Sequence, residues 1–390
     1  MEHFYTYLEV TMKKLICLAL ALVMALSITA CSSSRPNFDY SYEDGVPSLW
    51  QEMSEWFHVG VAINSWNLND TESPEYKTLF NHFDTYVYEN ETKIDAMQPR
   101  EGQFNFEATD RLAEFCEENG KRMRGHTLVW HSQCPDWFFF DGDGEASAEL
   151  VLERQKTHIT TIMSRYKGKV DSWDVCNEVI GDGGGLRDSY WLQRVGDYDG
   201  DGDKYDFIEQ AFITAREVDP DARLMINDYS IESSESKAVS MYLAVKKMLE
   251  DGTPIDGIGF QMHMGVNTDM EQMRRNFEIL GRLREIKPDL IFEVTELDMS
   301  VYDWGDNNET EYDKELAERQ SAKYRELFEF LIEQAELGYL DSVVFWGLSD
   351  GNSWLNKDNQ KNYPMLFGRD FTIKDCFWEV LDVAKEQKAK

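Results

Sequence analysis

The sequence has few basic residues for its length. Its 390 residues include 39 Lys and Arg against 73 Asp and Glu, which gives a formal net charge of −34. A chain this acidic repels phosphate groups, because nucleic-acid binding depends on basic side chains that displace counterions. A nucleic-acid partner is therefore not expected, whereas an uncharged polymer is compatible with the charge.

The sequence also lacks any pair of cysteines at the CxxC spacing. Cys17 and Cys31 fall in the N-terminal segment, and the other four are Cys116, Cys134, Cys176 and Cys376. Without that spacing neither a zinc site nor a redox pair is indicated. A disulfide between two of these four stays open for an exported chain, but we expect four free, buried thiols.

The apolar run near the N-terminus, Leu15 to Ile28, is short for a membrane span. It follows the positive start Met12-Lys13-Lys14 and ends in Ile28-Thr29-Ala30-Cys31, the small-residue cleavage pattern of a secretory signal. A cysteine directly after that pattern predicts a bacterial lipoprotein, cleaved before Cys31, acylated on its thiol and displayed at the cell surface. An uncleaved anchor helix and a plain secretory signal are the alternatives, and Met1 to Thr11 is interpreted as an overlong start.

Three segments follow from these signals. Residues 1–31 are predicted to be a lipoprotein signal peptide with its lipid-attachment cysteine, residues 32–48 a flexible linker, and residues 49–390 a single catalytic domain. The content of 42% hydrophobic and 13% aromatic residues is enough for a full core. We expect a monomer that meets the membrane only through its lipid anchor.

Apolar, β-rich runs recur along the mature chain. The strand candidates are His58–Ile63, Thr85–Tyr88, Arg122–Val129, Val170–Val175, Arg223–Ile226, Gly257–Gln261, Leu290–Val294 and Ser342–Phe345. Helical stretches lie between them and stop at glycines, where helices end in the left-handed conformation. These are Glu107–Asn119 before Gly120, Glu235–Asp251 before Gly252 and Tyr312–Leu337 before Gly338. Eight strand-helix units in one series predict an α/β fold, the (β/α)8 TIM barrel.

Two glutamates follow predicted strands: Glu178 in WDVCNEV and Glu296 in EVTELD. The C-terminal strand ends of such a barrel surround its active site. Hydrolysis of a glycosidic bond needs one carboxyl group that donates a proton and one that is ionised. Strand-end acids can instead simply pair with Arg or Lys, but both glutamates here stand beside polar and aromatic groups suited to a sugar.

Other polar and aromatic residues at predicted strand ends are assigned roles that support the two glutamates. Asn177 is placed to hydrogen-bond the sugar hydroxyl beside the reacting carbon, and His263 and Asp298 to hold Glu296 ionised and oriented. Ring surfaces and hydrogen-bonding side chains at other predicted strand ends are Trp130, His131, Gln133, Gln261, Trp346 and Trp354. This set predicts a glycoside hydrolase. For His131, support of the site and hydrogen bonding in the core are equally compatible with the sequence.

Seven motifs in order carry a family resemblance from about Leu49 to Leu381. They are ENETK, RGHTLVWHSQCPDW, WDVCNE, INDYS, GIGFQMH, VTELD and FWGLSDGNSW. With them the chain resembles the endo-β-1,4-xylanases of glycoside hydrolase family 10. It departs from the family at Thr92 and Ile94, where a methionine and a tryptophan are usual, so packing behind the distal glycone subsite is expected to differ.

The resemblance implies roles residue by residue. Glu178 would be the acid/base and Glu296 the nucleophile of a retaining double displacement on xylan or xylo-oligosaccharides, with Asn177, Gln261 and His263 beside them. The glycone subsites would be lined by Glu89, Asn90, Lys93, His126, Trp130, Gln133, Trp346 and Trp354, with Tyr229 nearby. No cofactor or metal is expected.

Other interpretations differ in what they require. A β-1,4-glucanase or a mixed xylanase/glucanase would use the same barrel. A surface solute-binding lipoprotein would show two lobes and no paired carboxylates, and a catalytically dead barrel would have lost a glutamate. The acidic stretch Asp199 to Asp206 starts like a calcium loop, but Lys204 and Gln210 stand where glycine and glutamate are needed, so a solvated insertion is favoured.

Overall fold

The computed structural model describes residues 45–303, 305–306 and 311–390. Cys31, the predicted signal peptide and most of the 32–48 linker lie outside the described residues. Within the described ranges, no helix combines the length and apolar character that a membrane span requires.

Eight parallel strands close into a barrel and follow one another around it in chain order. They are β1 (His58–Ile63), β2 (Thr85–Tyr88), β3 (Arg122–Trp130), β6 (Ser172–Asn177), β7 (Arg223–Asp228), β8 (Gly257–Phe260), β10 (Ile291–Ser300) and β11 (Leu340–Phe345). β11 pairs with both β1 and β10, which closes the ring. Three short strands lie in the loops: β4 (Phe140–Asp141), β5 (Gly144–Glu145) and β9 (His263–Gly265). The predicted (β/α)8 barrel is confirmed.

Helices separate the strands. They are α1 (Leu49–Met53), α2 (Pro74–His82), α3 (Ile94–Met97), α4 (Glu107–Asn119), α5 (Ala148–Tyr166), α6 (Tyr190–Val195), α7 (Asp206–Val218), α8 (Glu235–Glu250), α9 (Met270–Gly281), α10 (Lys314–Glu336) and α11 (Asp375–Lys388). Short 3-10 turns span Ser65–Leu68, Asp136–Phe138 and Arg282–Glu285. Ser73, Ser147, Ser234 and Asp313 cap helix N-termini by accepting a backbone N–H.

The predicted helix ends agree with the structure at the glycines. Gly120, Gly252 and Gly338 have φ of 60°, 92° and 77°, in the left-handed region that glycine adopts without steric cost.

The ends of two strands differ from the predicted ones. β6 begins at Ser172 and runs on to Asn177 rather than stopping at Val175, and β10 continues to Ser300 instead of ending at Val294. Glu296 therefore lies within β10 and not beyond it. The pairing of β10 with β11 shifts register between Val294 and Leu297. Such an irregularity bends a strand and re-aims its side chains, and Glu296 lies inside it.

Charged side chains are buried inside the barrel. Arg124 donates to Asp174 Oδ1 at 2.7 Å and to Glu293 Oε2 at 2.8 Å, and none of these three side chains is more than 2% exposed. Burial alone would raise the pKa of Asp174, but Arg124 and His126 outweigh it and lower that pKa. The other oxygen of Asp174 lies 2.8 Å from His126 Nδ1, so the ion cluster fixes a histidine that reaches the cleft described below.

All four cysteines of the barrel are free thiols. Cys116, Cys176 and Cys376 are buried as predicted, whereas Cys134 is only partly covered because it lies in the loop after β3. In the acidic insertion, Lys247 Nζ lies 3.1 Å from Asp201 and 2.9 Å from Asp203, so an ammonium group neutralises part of that cluster.

Candidate active site

A cleft of about 780 Å³ opens where the barrel strands end. Thirteen of the predicted site residues line it: Glu89, Asn90, Lys93, His126, Trp130, Asn177, Glu178, Tyr229, Gln261, His263, Glu296, Trp346 and Trp354. Five lining residues were not predicted: Asp182, Ser230, Ser233, Ser234 and Lys237. Most of the side chains chosen for sugar chemistry from sequence thus share one concave surface.

Glu296 is held by donors on both carboxylate oxygens. Asn227 Nδ2 donates to Oε1 at 2.9 Å, and His263 Nε2 lies 3.3 Å from Oε2. The other ring nitrogen of His263, Nδ1, is 2.8 Å from Asp298 Oδ2. The side chain of Glu296 is only 6% exposed, so these contacts replace solvent.

The electrostatics of this group favour an ionised Glu296. Burial works to raise its pKa, but the hydrogen bond and charge of His263, together with His126, overcome it and the pKa is lowered. Burial likewise opposes charge on His263, yet Asp298 and Glu296 raise the pKa of His263 to about 10. His263 is therefore an imidazolium at neutral pH, held between two carboxylates.

Glu178 lies in a different environment. Its carboxyl group accepts from the neutral amide of Gln261, Nε2 to Oε1 at 3.1 Å, and its other oxygen is 3.8 Å from His131 Nδ1. The side chain is 15% exposed. His131, itself 29% exposed, thus lies beside the carboxyl group and not in the core.

The backbone at Glu178 has a φ of 56°, which non-glycine residues rarely adopt. Its N–H donates to Asn227 O at 2.8 Å, and its carbonyl accepts from Arg187 Nε at 2.7 Å. Arg187 also donates to Ile180 O at 3.1 Å. These bonds on either side of Glu178 hold it in the left-handed conformation that aims its carboxyl group.

Three amides connect the two glutamates. Asn177 Oδ1 accepts from Asn227 Nδ2 at 2.9 Å and from Gln261 Nε2 at 3.2 Å, and the same two nitrogens contact Glu296 and Glu178. Asn227, in the INDYS motif, was not among the predicted residues. A Cβ on Gly259 would lie 2.3 Å from Asn227 Oδ1, so only glycine leaves room for this amide.

At one end of the cleft, polar groups converge on Lys93. Lys93 Nζ donates to Asn90 Oδ1 at 3.2 Å and lies 5.0 Å from the centre of the Trp130 ring. Burial lowers the pKa of Lys93, against the attraction of Glu296 and Glu89. Glu89 Oε2 accepts from Asn64 Nδ2 at 3.2 Å.

Two tryptophans from the loop after β11 complete this region. Trp346 is buried, at 6% exposure, whereas Trp354 is 45% exposed and donates from Nε1 to Asp298 Oδ2 at 2.9 Å. Asp298 does not line the cleft itself, but it contacts His263 and Trp354, which do.

The opposite end is built around Tyr229. Its hydroxyl accepts from Arg187 Nη2 at 2.7 Å and donates to Asp182, and Lys237 Nζ lies 3.4 Å from the centre of its ring. Lys237 pairs at 2.7 Å with Asp228, whose pKa burial raises to about 6.

Gln133 differs from the prediction in position. It is exposed and does not line the cleft, and its carbonyl accepts from Asp95 N at 3.0 Å. Thr92, at the position where the chain departs from the family, is buried and donates to His126 O at 2.5 Å. The loop that carries Lys93 is thereby tied to β3 by a hydrogen bond.

A (β/α)8 barrel with two carboxyl groups of unlike surroundings in a cleft lined by indole rings and amides defines a glycoside hydrolase. The family comparison agrees, because the family model for glycosyl hydrolase family 10 matches residues 48–383. The chain belongs to glycosyl hydrolase family 10.

Relatives of known name are similar over most of the chain. An endo-1,4-beta-xylanase C of Paenibacillus barcinonensis is 44% identical over 351 residues, which cover 87% of this chain and 32% of that protein. The solved family 10 structure from Paenibacillus barcinonensis superposes with a TM-score of 0.83 at 44% identity, covering 87% of this chain and 97% of the solved one.

An intracellular xylanase of Thermoanaerobacterium saccharolyticum, solved with xylotriose, has a TM-score of 0.77 at 36% identity and covers 87% of this chain and 99% of its own. The chain spans only about a third of the length of several curated relatives that it matches, namely 32%, 29% and 30%.

Proposed function

We propose that this protein is an endo-acting β-1,4-xylanase that hydrolyses xylan with retention of configuration. In this proposal Glu296 attacks the anomeric carbon and Glu178 first protonates the leaving oxygen and then deprotonates the incoming water. The observation that carries the proposal is the contrast between the two carboxyl groups. Glu296 has a lowered pKa beside the His263 imidazolium, whereas Glu178 contacts the neutral amide of Gln261.

The amide groups between Glu178 and Glu296 are consistent with binding of a sugar between the two carboxyl groups. The amide of Asn177, fixed by Asn227 and Gln261, is placed to meet the hydroxyl beside the anomeric carbon, a contact that strengthens as positive charge develops there. No metal is needed for two carboxylates to carry out this reaction.

Xylose is favoured over glucose for two reasons. Most of the named relatives are endo-1,4-beta-xylanases, and one xylanase of similar structure is solved with xylotriose, while an exoglucanase and a celloxylanase are also among the relatives. In the resemblance, Lys93, Trp346 and Trp354 match positions that crowd the hydroxymethyl group of a hexose, and all three line this cleft.

The product profile on xylan, cellulose and mixed-linkage glucan tests the substrate assignment. Xylo-oligosaccharides of several lengths are expected from xylan, with a higher kcat/KM on xylo-oligosaccharides than on cello-oligosaccharides of equal length. The reverse preference would assign a glucanase. Sugar binding without any product would favour a solute receptor.

The pH profile tests the group around Glu296. In Asp298→Asn, His263 loses an anionic partner, so its pKa falls and Glu296 loses the adjacent cation. Burial then raises the pKa of Glu296, and the acidic limb of kcat/KM should move to higher pH, because a nucleophile must be ionised. The limb is measured with an aryl xylobioside between pH 3 and 9.

Asp221→Asn is the matched control, since Asp221 is exposed and precedes β7 at the opposite end of the barrel. Its acidic limb should coincide with that of the wild type. An acidic limb unchanged in Asp298→Asn would show that His263 does not hold Glu296 ionised.

We also propose that the protein is exported and held at the cell surface by lipid on Cys31. The small-residue pattern before Cys31 supports this, and two or more acyl chains are expected because a single chain binds membranes weakly. Cys31→Ala should move the protein from the membrane fraction to the soluble fraction, whereas Cys17→Ala, earlier in the signal, should leave it membrane-bound. Equal membrane retention of Cys31→Ala would refute the anchor.

A further inference from the structure

Trp66 is exposed at the rim of the barrel that carries the cleft. It lies in the 3-10 turn directly after β1, at the C-terminal strand ends, and 55% of it is accessible. Its turn neighbours Asn64 and Asn67 are buried, at 8% and 4% exposure. Trp354, the other tryptophan among the described residues that is exposed, lines the cleft.

The turn around Trp66 is fixed from both sides. Asn64 N donates to Asn67 Oδ1 at 2.6 Å, and Asn67 N donates to Asn64 O at 3.0 Å. Arg111 also donates to the carbonyl of Leu68 at 2.6 Å. The backbone that carries the indole is thus held in place, so a ligand that covers the indole does not have to order this turn.

Two contacts locate Trp66 beside the cleft. Asn64 Nδ2 donates at 3.2 Å to Glu89, a lining residue that the family resemblance assigns to the glycone subsites. On the other side of Trp66, Asn67 donates to Glu75, which also accepts from Asn352 Nδ2 at 3.3 Å. Asn352 belongs to the loop after β11 that carries Trp346 and Trp354. Trp66 therefore lies between the two loops that bound this end of the cleft.

We propose that Trp66 is a stacking platform for a sugar ring of the polymer backbone beyond the described cleft, on its glycone side. This inference rests on the proposed function. The C–H-rich face of a β-1,4-linked pyranose is an uncharged apolar surface that packs on an aromatic face. A neutral ring also suits this acidic rim, where Glu75, Glu89 and Glu91 surround the turn.

The experiment compares kcat/KM on xylotriose, xylotetraose, xylopentaose and xylohexaose for the wild type, Trp66→Ala and Trp66→Phe. Trp66→Ala should match the wild type on xylotriose and lose about three- to tenfold on xylohexaose, the effect of one aromatic contact. The loss should appear in KM, since the platform is far from the reacting bond, and Trp66→Phe should recover most of it. Tyr198→Ala, which removes another aromatic that is 45% exposed, is the control and should change nothing.

Two outcomes would contradict the proposal that Trp66 is a stacking platform. One is an equal kcat/KM for Trp66→Ala and the wild type at every oligosaccharide length. The other is an equal loss of kcat/KM at every length, which would indicate a general structural defect. Failure of the proposed function is a separate result. It would appear as a wild-type enzyme that cleaves cello- but not xylo-oligosaccharides, and the same length series in cello-oligosaccharides would then test Trp66.

Discussion

Glu296→Ala is expected to abolish turnover on every substrate, including aryl xylobiosides with activated leaving groups. Without this carboxylate no glycosyl-enzyme can form, and an activated leaving group does not replace a missing nucleophile. The expected loss in kcat is at least ~10⁴-fold, as for nucleophile removal in other covalent enzymes.

A loss of activity in Glu296→Ala must be distinguished from a loss of the folded structure. Glu296 is buried against Asn227 and His263, so thermal unfolding of the variant should be measured alongside its activity. Glu271→Ala, at an exposed position on α9, controls for the loss of a glutamate and should keep full activity. A folded Glu296→Ala enzyme that retained even a few per cent of wild-type turnover would exclude Glu296 as the nucleophile.

Glu178→Ala is expected to depend on the leaving group. On xylan, where the leaving sugar needs a proton, kcat should fall by about 10²- to 10⁴-fold. On an aryl xylobioside whose phenol has a low pKa, the first step should survive because little protonation is required. The second step should then limit, because no base activates water, so a burst of phenol should precede slow turnover.

Azide distinguishes this behaviour from a general loss of activity. It needs no base to attack, so it should restore steady-state turnover of Glu178→Ala on the activated substrate and leave the wild type unaffected. A Glu178→Ala enzyme equally slow on xylan and on the activated substrate, with no burst, would exclude Glu178 as the acid/base.

The sequence was sufficient to predict the barrel and much of the cleft, because both depend on local patterns. Apolar runs alternate with helices that stop at Gly120, Gly252 and Gly338, and the polar motifs directly follow strands. A barrel brings all C-terminal strand ends together. Side chains as distant in sequence as Trp130 and Trp354 could therefore be assigned to one site without knowledge of their contacts, whereas Glu89 was assigned to it only through the family resemblance.

Residues that act through contacts between distant parts of the chain were missed. Arg187 holds the Glu178 carbonyl and the Tyr229 hydroxyl, and Lys237 packs on Tyr229 from the first turn of α8. A lysine or arginine in a helix or loop has no local signal that separates such a role from solvent exposure. Arg124 was likewise undetectable, since a charged residue in a strand is usually taken to face water, whereas here two buried carboxylates neutralise it.

Irregular backbone near the ends of strands could not be predicted from the sequence either. The register shift that surrounds Glu296 depends on how β10 meets β11, and no feature of EVTELD alone predicts it. Gln133 was predicted from the same motif as Trp130 but is not among the residues that line the cleft, and its φ of 42° departs from the extended conformation of β3.

The configuration of the azide product tests the assignment of the two glutamates most directly. If Glu296 forms an α-linked glycosyl-enzyme, azide must attack Glu178→Ala from the face that Glu178 normally serves, and NMR should identify a β-xylobiosyl azide. An α-configured azide from Glu178→Ala, or a β-configured azide from Glu296→Ala, would show that the two glutamates have the opposite roles.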